Sequence, residues 1–173
     1  SNASEVFESM GFEMRGAHTF ESAIEAANWA EGFFTGGGNT FVLLKALYDT
    51  GLLQAIDERV RAGTPYMGTS AGCNVCGLTI GTTNDMPIIE PASFNALNLL
   101  PLQLNPHYTD YKPEGFHGET RDMRLAEFMQ LNPATPIIAL PEGTALQRND
   151  NQLTLLGAGG GYLFQGGIKT ALA

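Results

Sequence analysis

The stretch PYMGTSAGCN, residues 65 to 74, sets Ser70 between Gly68 and Gly72 directly after a short apolar run. A G-x-S-x-G stretch carries chemistry when a strand precedes it and a helix follows, because the sharp turn between them exposes the hydroxyl. A serine hydroxyl is a weak nucleophile until a neighbouring base takes its proton. Three histidines are available for that role. His18 sits early, near a weak strand, and His117 lies in the loop KPEGFHGETR, whereas His107 follows Pro106 at the end of an apolar run and is the best candidate base. An acid should orient that base. Glu142, in LPEG, comes straight after a buried strand, where a carboxylate needs a partner. Its rival is Asp85 in TTNDMP, whose setting beside Asn84 and before Pro87 is equally well explained as turn chemistry. The residues leave both open.

Gly36 to Gly38 precede Asn39, a good N-cap residue, so their backbone amides could cradle an anion. A phosphate-binding loop would end in Gly-Lys-Ser/Thr, which is missing, and no complete G-x-G-x-x-G follows the strand. An oxyanion hole is the better use: the amide of Gly38 facing that of Ala71 would stabilise a tetrahedral intermediate. Cys73 and Cys76 form C-x-x-C within the helical stretch after Ser70, where ordinary small core residues are a simpler reading than a redox or zinc site. Met123 and Met129 are likewise most simply core.

These groups need a frame that brings them together. The chain has 173 residues, of which 43% are hydrophobic and 16% charged, enough to bury one core but short for two domains. The opening Ser-Asn-Ala reads as a tag-cleavage scar, leaving one domain over residues 4–173. A net charge of −9 argues against nucleic acid and anionic lipid as partners. No apolar run suffices to cross a bilayer and nothing resembles a signal peptide, so a cytoplasmic location is expected.

From about Phe12, short apolar runs alternate with helical patterns, the layout of a parallel sheet covered by helices. GFEMRGA is a weak strand candidate. ESAIEAANWA reads as a helix with Ile24, Ala27 and Trp29 toward one side. GFFT, Gly32 to Thr35, is a short buried strand ending at the three glycines. NTFVLLKALYD is a helix opening on Asn39 and stopping before Gly51, and LLQAIDERVRAG puts Leu52, Leu53, Ile56 and Val60 on one stripe. TPYMGTS, LLPLQLNPH and TPIIALPEG are strands ending at Ser70, His107 and Glu142. AGCNVCGLT and RDMRLAEFMQL are helices, and LTLLGAGGGYLFQGG a glycine-turned β-hairpin. If the strands are parallel, Gly36 to Gly38, Ser70, His107 and Glu142 converge at their carboxyl ends, where α/β sheets bind ligands.

Taken together, GGGNTF, GTSAG, TTNDMPI, NPHYTD, GETR and LPEG resemble the dipeptidase E family, the alpha-aspartyl dipeptidases, over nearly the whole chain from about Gly32. The resemblance implies a three-layer α/β fold of flavodoxin-like, class I glutamine amidotransferase type: a mostly parallel sheet with helices on both faces and a C-terminal hairpin. It implies a serine peptidase cleaving Asp-Xaa dipeptides, with no metal or organic cofactor. Ser70 matches the family nucleophile, His107 its base, and Gly38 and Ala71 the oxyanion amides. The acid has been placed at positions matching both Glu142 and Asp85; Glu142 is favoured because it ends a strand. Arg121 of GETR matches the residue thought to hold the substrate's aspartyl carboxylate. Rival readings are cyanophycinase-like cleavage of β-aspartyl-arginine linkages and a non-catalytic binding module of the same fold. Family members begin with a strand, a helix and a second strand that have no counterpart before residue 5, so N-terminal strands are expected to be missing, and self-association through an exposed sheet edge is expected.

Overall fold

The computed structural model describes residues 2–173. Helix α1 (Asn2–Ser9) is followed by a short 3-10 turn over Ala17–Thr19 and helix α2 (Ala23–Trp29), which Ser22 caps by accepting a hydrogen bond from the Glu25 amide. Strand β1 (Phe33–Thr35) runs into the glycines. Helix α3 (Thr40–Thr50) begins at Asn39, whose side chain accepts from the Phe41 and Val42 amides, and ends at Gly51 in a left-handed conformation (φ 78°). That glycine turns the chain directly into α4 (Leu52–Arg61). Strand β2 (Tyr66–Gly68) and the four-residue helix α5 (Ala71–Asn74) flank Ser70.

After a long irregular stretch come β3 (Gln103–Pro106), α6 (Arg121–Leu131) and β4 (Ile137–Leu140). The chain closes with β5 (Ala145–Asn149), β6 (Gln152–Leu156), β7 (Gly161–Gln165) and β8 (Ile168–Leu172).

Two parallel ladders hold the strand ends that matter. β1 pairs with β2, Thr35 opposite Gly68; β3 pairs with β4, Pro106 opposite Leu140. β7 adds antiparallel to β4 and β8 to β7, giving the order β3-β4-β7-β8, while β5 and β6 form a separate hairpin. Helix α5 contacts β1, β2 and β3 and so ties the ladders together. Phe41, Leu44, Leu47, Ile56 and Val75 form one buried cluster between α3, α4 and α5. Tyr108, Leu125, Met129, Ile137 and Phe164 form another under α6, and Leu100, Leu102, Leu104, Ile138 and Leu140 a third between β3 and β4. Among the described residues no helix is long and apolar enough to cross a membrane.

Four local expectations are corrected. GFEMRGA forms no strand: among the described residues no neighbouring ladder takes its backbone hydrogen bonds, and Phe12 stays exposed while its ring packs edge-on against Phe7. In α2 the inward face is Ala26 and Ala27, with Ile24 68% exposed, because the helix lies close on α4 and only small side chains fit between. The helix after Ser70 is a single turn. Beyond it the chain peels away so that Leu78 can donate to Leu102 and Leu97 to Val75. The tail is two hairpins, not one, because Gly157 and Gly160 (φ 102° and 65°) break the chain between β6 and β7.

Candidate active site

Ser70 follows β2 with φ 54° and ψ −117°, a conformation a non-glycine residue holds only where its surroundings impose it. Close backbone packing imposes it here. A Cβ on Gly68 would lie 2.2 Å from the Gly72 carbonyl oxygen, and one on Gly72 would lie 2.0 Å from that of Thr35. Larger residues would force β1, β2 and α5 apart. The turn is locked by hydrogen bonds from the Thr69 amide to Thr35 (3.0 Å), from the Gly72 amide to Gly36 (3.2 Å) and from the Tyr66 hydroxyl to Gly72 (3.0 Å). Burial pushes the Tyr66 hydroxyl pKa far up, so Tyr66 stays a neutral donor.

The same packing brings the glycine loop against Ser70: a Cβ on Gly37 would lie 3.2 Å from Ser70 Cβ and 3.4 Å from Oγ. Gly38 has φ 127°. Among the described residues neither the Gly38 nor the Ala71 amide donates to a protein acceptor, so both are free for a developing oxyanion.

At the ends of the second ladder, His107 Nδ1 contacts Glu142 Oε1. His107 is also held at positive φ (57°), because the next residue turns inward. Tyr108 is buried, packs tilted against Tyr162 and edge-on against Phe164, donates its hydroxyl to Asp122 (2.5 Å) and its amide to Leu140 (3.0 Å). Burying Tyr108 thus turns His107 outward. Burial and the Asp122 carboxylate raise the Tyr108 hydroxyl pKa to about 12, with Lys169 opposing. The pair itself is open to solvent, its side chains 50% and 79% exposed for His107 and Glu142. The strand before Glu142 is buried at every position, yet the carboxylate is not. Among the described residues no hydrogen bond joins Ser70 to His107.

Asp85 lies elsewhere. Its Oδ2 accepts from the Thr40 amide (2.7 Å) and hydroxyl (2.6 Å), at the start of α3. His18 sits over Gly16 in the 3-10 turn, and His117 in the exposed loop before α6.

Arg121 opens α6, whose N-cap Thr120 accepts from the Met123 amide. Its Nη1 donates to Asn84 Oδ1 (2.7 Å), Asn105 Oδ1 (3.2 Å) and the Pro106 carbonyl (3.2 Å). All its hydrogen bonds fall on Nη1; among the described residues Nε and Nη2 have no protein acceptor and are not sealed from solvent. Burial and the nearby Arg124 lower its pKa, while Asp85 and Glu142 raise it, and a guanidinium stays charged through such shifts. Sequence reasoning missed the amides that aim it. The missed signal was present in LQLNP: Gln103 and Asn105 sit on one face of a strand between leucines, and both are 1% exposed. Buried amides at i and i+2 require partners. Asn105 finds Arg121, Asn84 (2.6 Å) and Thr82 (2.9 Å), and Gln103 bonds Thr79 (2.5 Å).

A half-buried serine on a strained strand-to-helix turn, a glycine loop with a free amide beside it and a His–Glu contact at the carboxyl ends of the second parallel ladder are features of a serine hydrolase. Comparison with known proteins sharpens that class. The model of peptidase family S51 matches residues 1–156. The chain is 55% identical over 157 residues to Peptidase E of Shewanella denitrificans, covering 91% of this chain and 67% of that protein. To Peptidase E of Shewanella amazonensis it is 52% identical over 160 residues, covering 92% and 68%. The crystal structure of a peptidase from an acI-B1 Actinobacterium superimposes with a TM-score of 0.69 at 18% identity, over 98% of this chain and 70% of that one, and supports the fold. The chain belongs to peptidase family S51 and is a serine-type peptidase, a hydrolase. It spans about two thirds of the length of the curated relatives it matches.

Proposed function

We propose that the protein hydrolyses dipeptides with an N-terminal aspartate, through a Ser70–His107–Glu142 triad. His107 removes the proton from Ser70 as the serine attacks the peptide carbonyl, and the oxyanion is received by the Gly38 and Ala71 amides. His107 then protonates the leaving amine, and water repeats the cycle on the acyl-enzyme. Glu142 holds the imidazole tautomer through Nδ1, leaving Nε2 for the serine; the Ser70–His107 hydrogen bond forms in the substrate complex.

The observation that carries the substrate reading is Arg121, pinned through Nη1 with its remaining nitrogens free. A guanidinium presented that way suits a carboxylate as small as the aspartyl side chain. Asp-Leu, its β-linked isomer and Leu-Leu test it, with Ser70→Ala as the blank. Hydrolysis of Asp-Leu alone is expected, and Arg121→Met should cost about 2–4 kcal/mol in kcat/KM, the range for losing one partner of a charged pair. Equal cleavage of Leu-Leu, or Arg121→Met kinetics unchanged on Asp-Leu, would place the specificity elsewhere; preference for the β-linked isomer would reassign the linkage.

A further inference from the structure

Asp85 makes no contact with His107, yet it is one of the most heavily used carboxylates in the structure. Its Oδ2 receives both the amide and the hydroxyl of Thr40, at 2.7 and 2.6 Å. The Thr40 hydroxyl is also approached by Thr83 Oγ1 (3.1 Å) and the buried Asn74 amide (3.4 Å), and Thr83 Oγ1 accepts from the Asp85 amide (3.1 Å). Thr40 itself is wholly buried. Next to this knot, Asn39 Nδ2 donates to the Met86 carbonyl (2.9 Å) and Asn39 Oδ1 takes the Phe41 and Val42 amides. The opening amides of α3 are therefore shared between Asn39 and Asp85, and the segment Thr83–Met86 clamps the helix start from outside. Immediately before that start lie Gly37, against Ser70, and Gly38, with its free amide.

Three consecutive glycines have little stiffness of their own. Their two ends fix where the amides point. One end is held by β1, whose Thr35 carbonyl receives the Thr69 amide; the other is held at Thr40 by Asp85. We propose that Asp85 is a positioning residue for the oxyanion loop: by holding the start of α3, it keeps Gly37 and Gly38 presented to Ser70, and it takes no part in the His107 proton relay. This rests on the peptidase reading above. On this reading removal of either carboxylate depresses turnover, although only Glu142 touches the histidine.

The decisive variants are Asp85→Ala, which removes both acceptor contacts, and Asp85→Asn, which keeps an oxygen for Thr40. Asp85→Ala should lower kcat on Asp-Leu by roughly 10²–10³, the loss for one oxyanion donor, with KM within about threefold. Affinity for an aspartyl peptide aldehyde, whose adduct with Ser70 mimics the tetrahedral state, should fall by a similar factor, while affinity for free aspartate holds. Asp85→Asn should recover most of the loss, and the pH profile of kcat/KM should keep its shape in both variants. Hydrogen exchange gives a second readout that needs no turnover: amides from Thr40 to Val42 should exchange faster in Asp85→Ala, while β3 and β4 amides are unchanged.

The proposal is overturned if Asp85→Ala leaves kcat and aldehyde affinity intact, or if it distorts the pH profile as Glu142→Gln does. It is equally overturned if exchange at the start of α3 does not change. Should Asp85→Ala fail to fold, Asp85→Asn decides: a pH profile altered in a folded Asp85→Asn protein would return the residue to the triad. Labelling of Ser70 by a fluorophosphonate in the unchanged protein separates the two levels. Without labelling the peptidase reading fails, while the exchange measurement still judges the role of Asp85 in holding the loop.

Discussion

The two halves of the site are built from different materials. On the Ser70 side almost everything is backbone: glycines pressed against carbonyls at 2.0–2.2 Å from where a Cβ would stand, a strained φ, and amide-to-carbonyl hydrogen bonds crossing from β2 and α5 to β1. On the other side the working groups are two solvent-exposed side chains, joined by one contact. Ser70 is held by packing that cannot give without moving secondary structure. His107 and Glu142 are held by neighbours: Tyr108 buried beneath, and the register of β3 against β4. Stability and catalysis should therefore come apart across the site. A change on the first side should damage the fold and the reaction together, and a change on the second should damage the reaction alone.

Gly72→Ala tests the first half most severely. The new methyl would stand 2.0 Å from the Thr35 carbonyl oxygen and 3.0 Å from Thr35 Cβ, backbone that cannot swing aside. Overpacking of this kind costs about 1–3 kcal/mol and sometimes more. Here the strain falls on the turn that aims Ser70, so fluorophosphonate labelling should disappear and the melting temperature should drop together. Normal labelling at an unchanged melting temperature would mean that the turn can relax, and the contrast between the halves would lose its basis.

Glu142→Gln tests the second half. The amide side chain would keep the shape of the carboxylate but not its charge, and a neutral partner in this position disfavours the imidazolium formed during reaction. Turnover should fall by about 10²–10⁴, while unfolding free energy moves by less than about 0.5 kcal/mol, since both side chains are well exposed and surface pairs contribute little. Urea titration beside a dipeptide assay checks both. A loss of several kcal/mol in stability would show that the pair holds the fold as well as the chemistry.

This division also explains what the sequence made legible. Features carried by local chemistry were readable: the Asn39 cap, the Gly51 stop, the glycines around Ser70 and the strand ends at His107 and Glu142. The boundary of α5 was not, because a tertiary hydrogen bond from Leu78 to Leu102 ends that helix, not a local stop signal. The choice between Asp85 and Glu142 was equally beyond spacing alone. Both follow short motifs, and only the three-dimensional position of Thr40 draws Asp85 to the start of α3. The Arg121 bracket was readable in principle. Two buried amides on one strand face point to a partner, though not to which one.

Asn105→Ala extends the comparison to that bracket. Asn105 is buried and bridges Thr82, Asn84 and Arg121, so its loss strands the partners it satisfied. Leaving buried polar groups unpaired costs about 1–3 kcal/mol. Arg121 keeps its contacts to Asn84 and Pro106, so KM for Asp-Leu should rise by less than in Arg121→Met, with stability lost alongside. A KM rise equal to that of Arg121→Met would show that Asn105 alone aims the guanidinium.

The smallest effect is expected at Cys73, in α5, and Cys76, two residues past its end. Burial pushes the Cys73 thiol up to about 12, and burial together with Cys73 raises Cys76 further. Cys76 also donates its thiol to the Gly72 carbonyl (3.2 Å), and both pack against the cluster between β3 and β4. Only a thiolate attacks an alkylating reagent, and a pKa raised in the folded state keeps these groups neutral throughout the physiological range. The unfolded chain, with ordinary thiol pKa values, ionises first, so any stability these groups contribute declines only as pH rises through the alkaline range. Iodoacetamide at pH 8 should therefore leave both unmodified in the native protein and modify both in urea, while Ser70 still reacts with a fluorophosphonate. Rapid native alkylation at Cys73 with loss of Ser70 labelling would show that α5 opens readily, and that the backbone half of the site is the softer of the two.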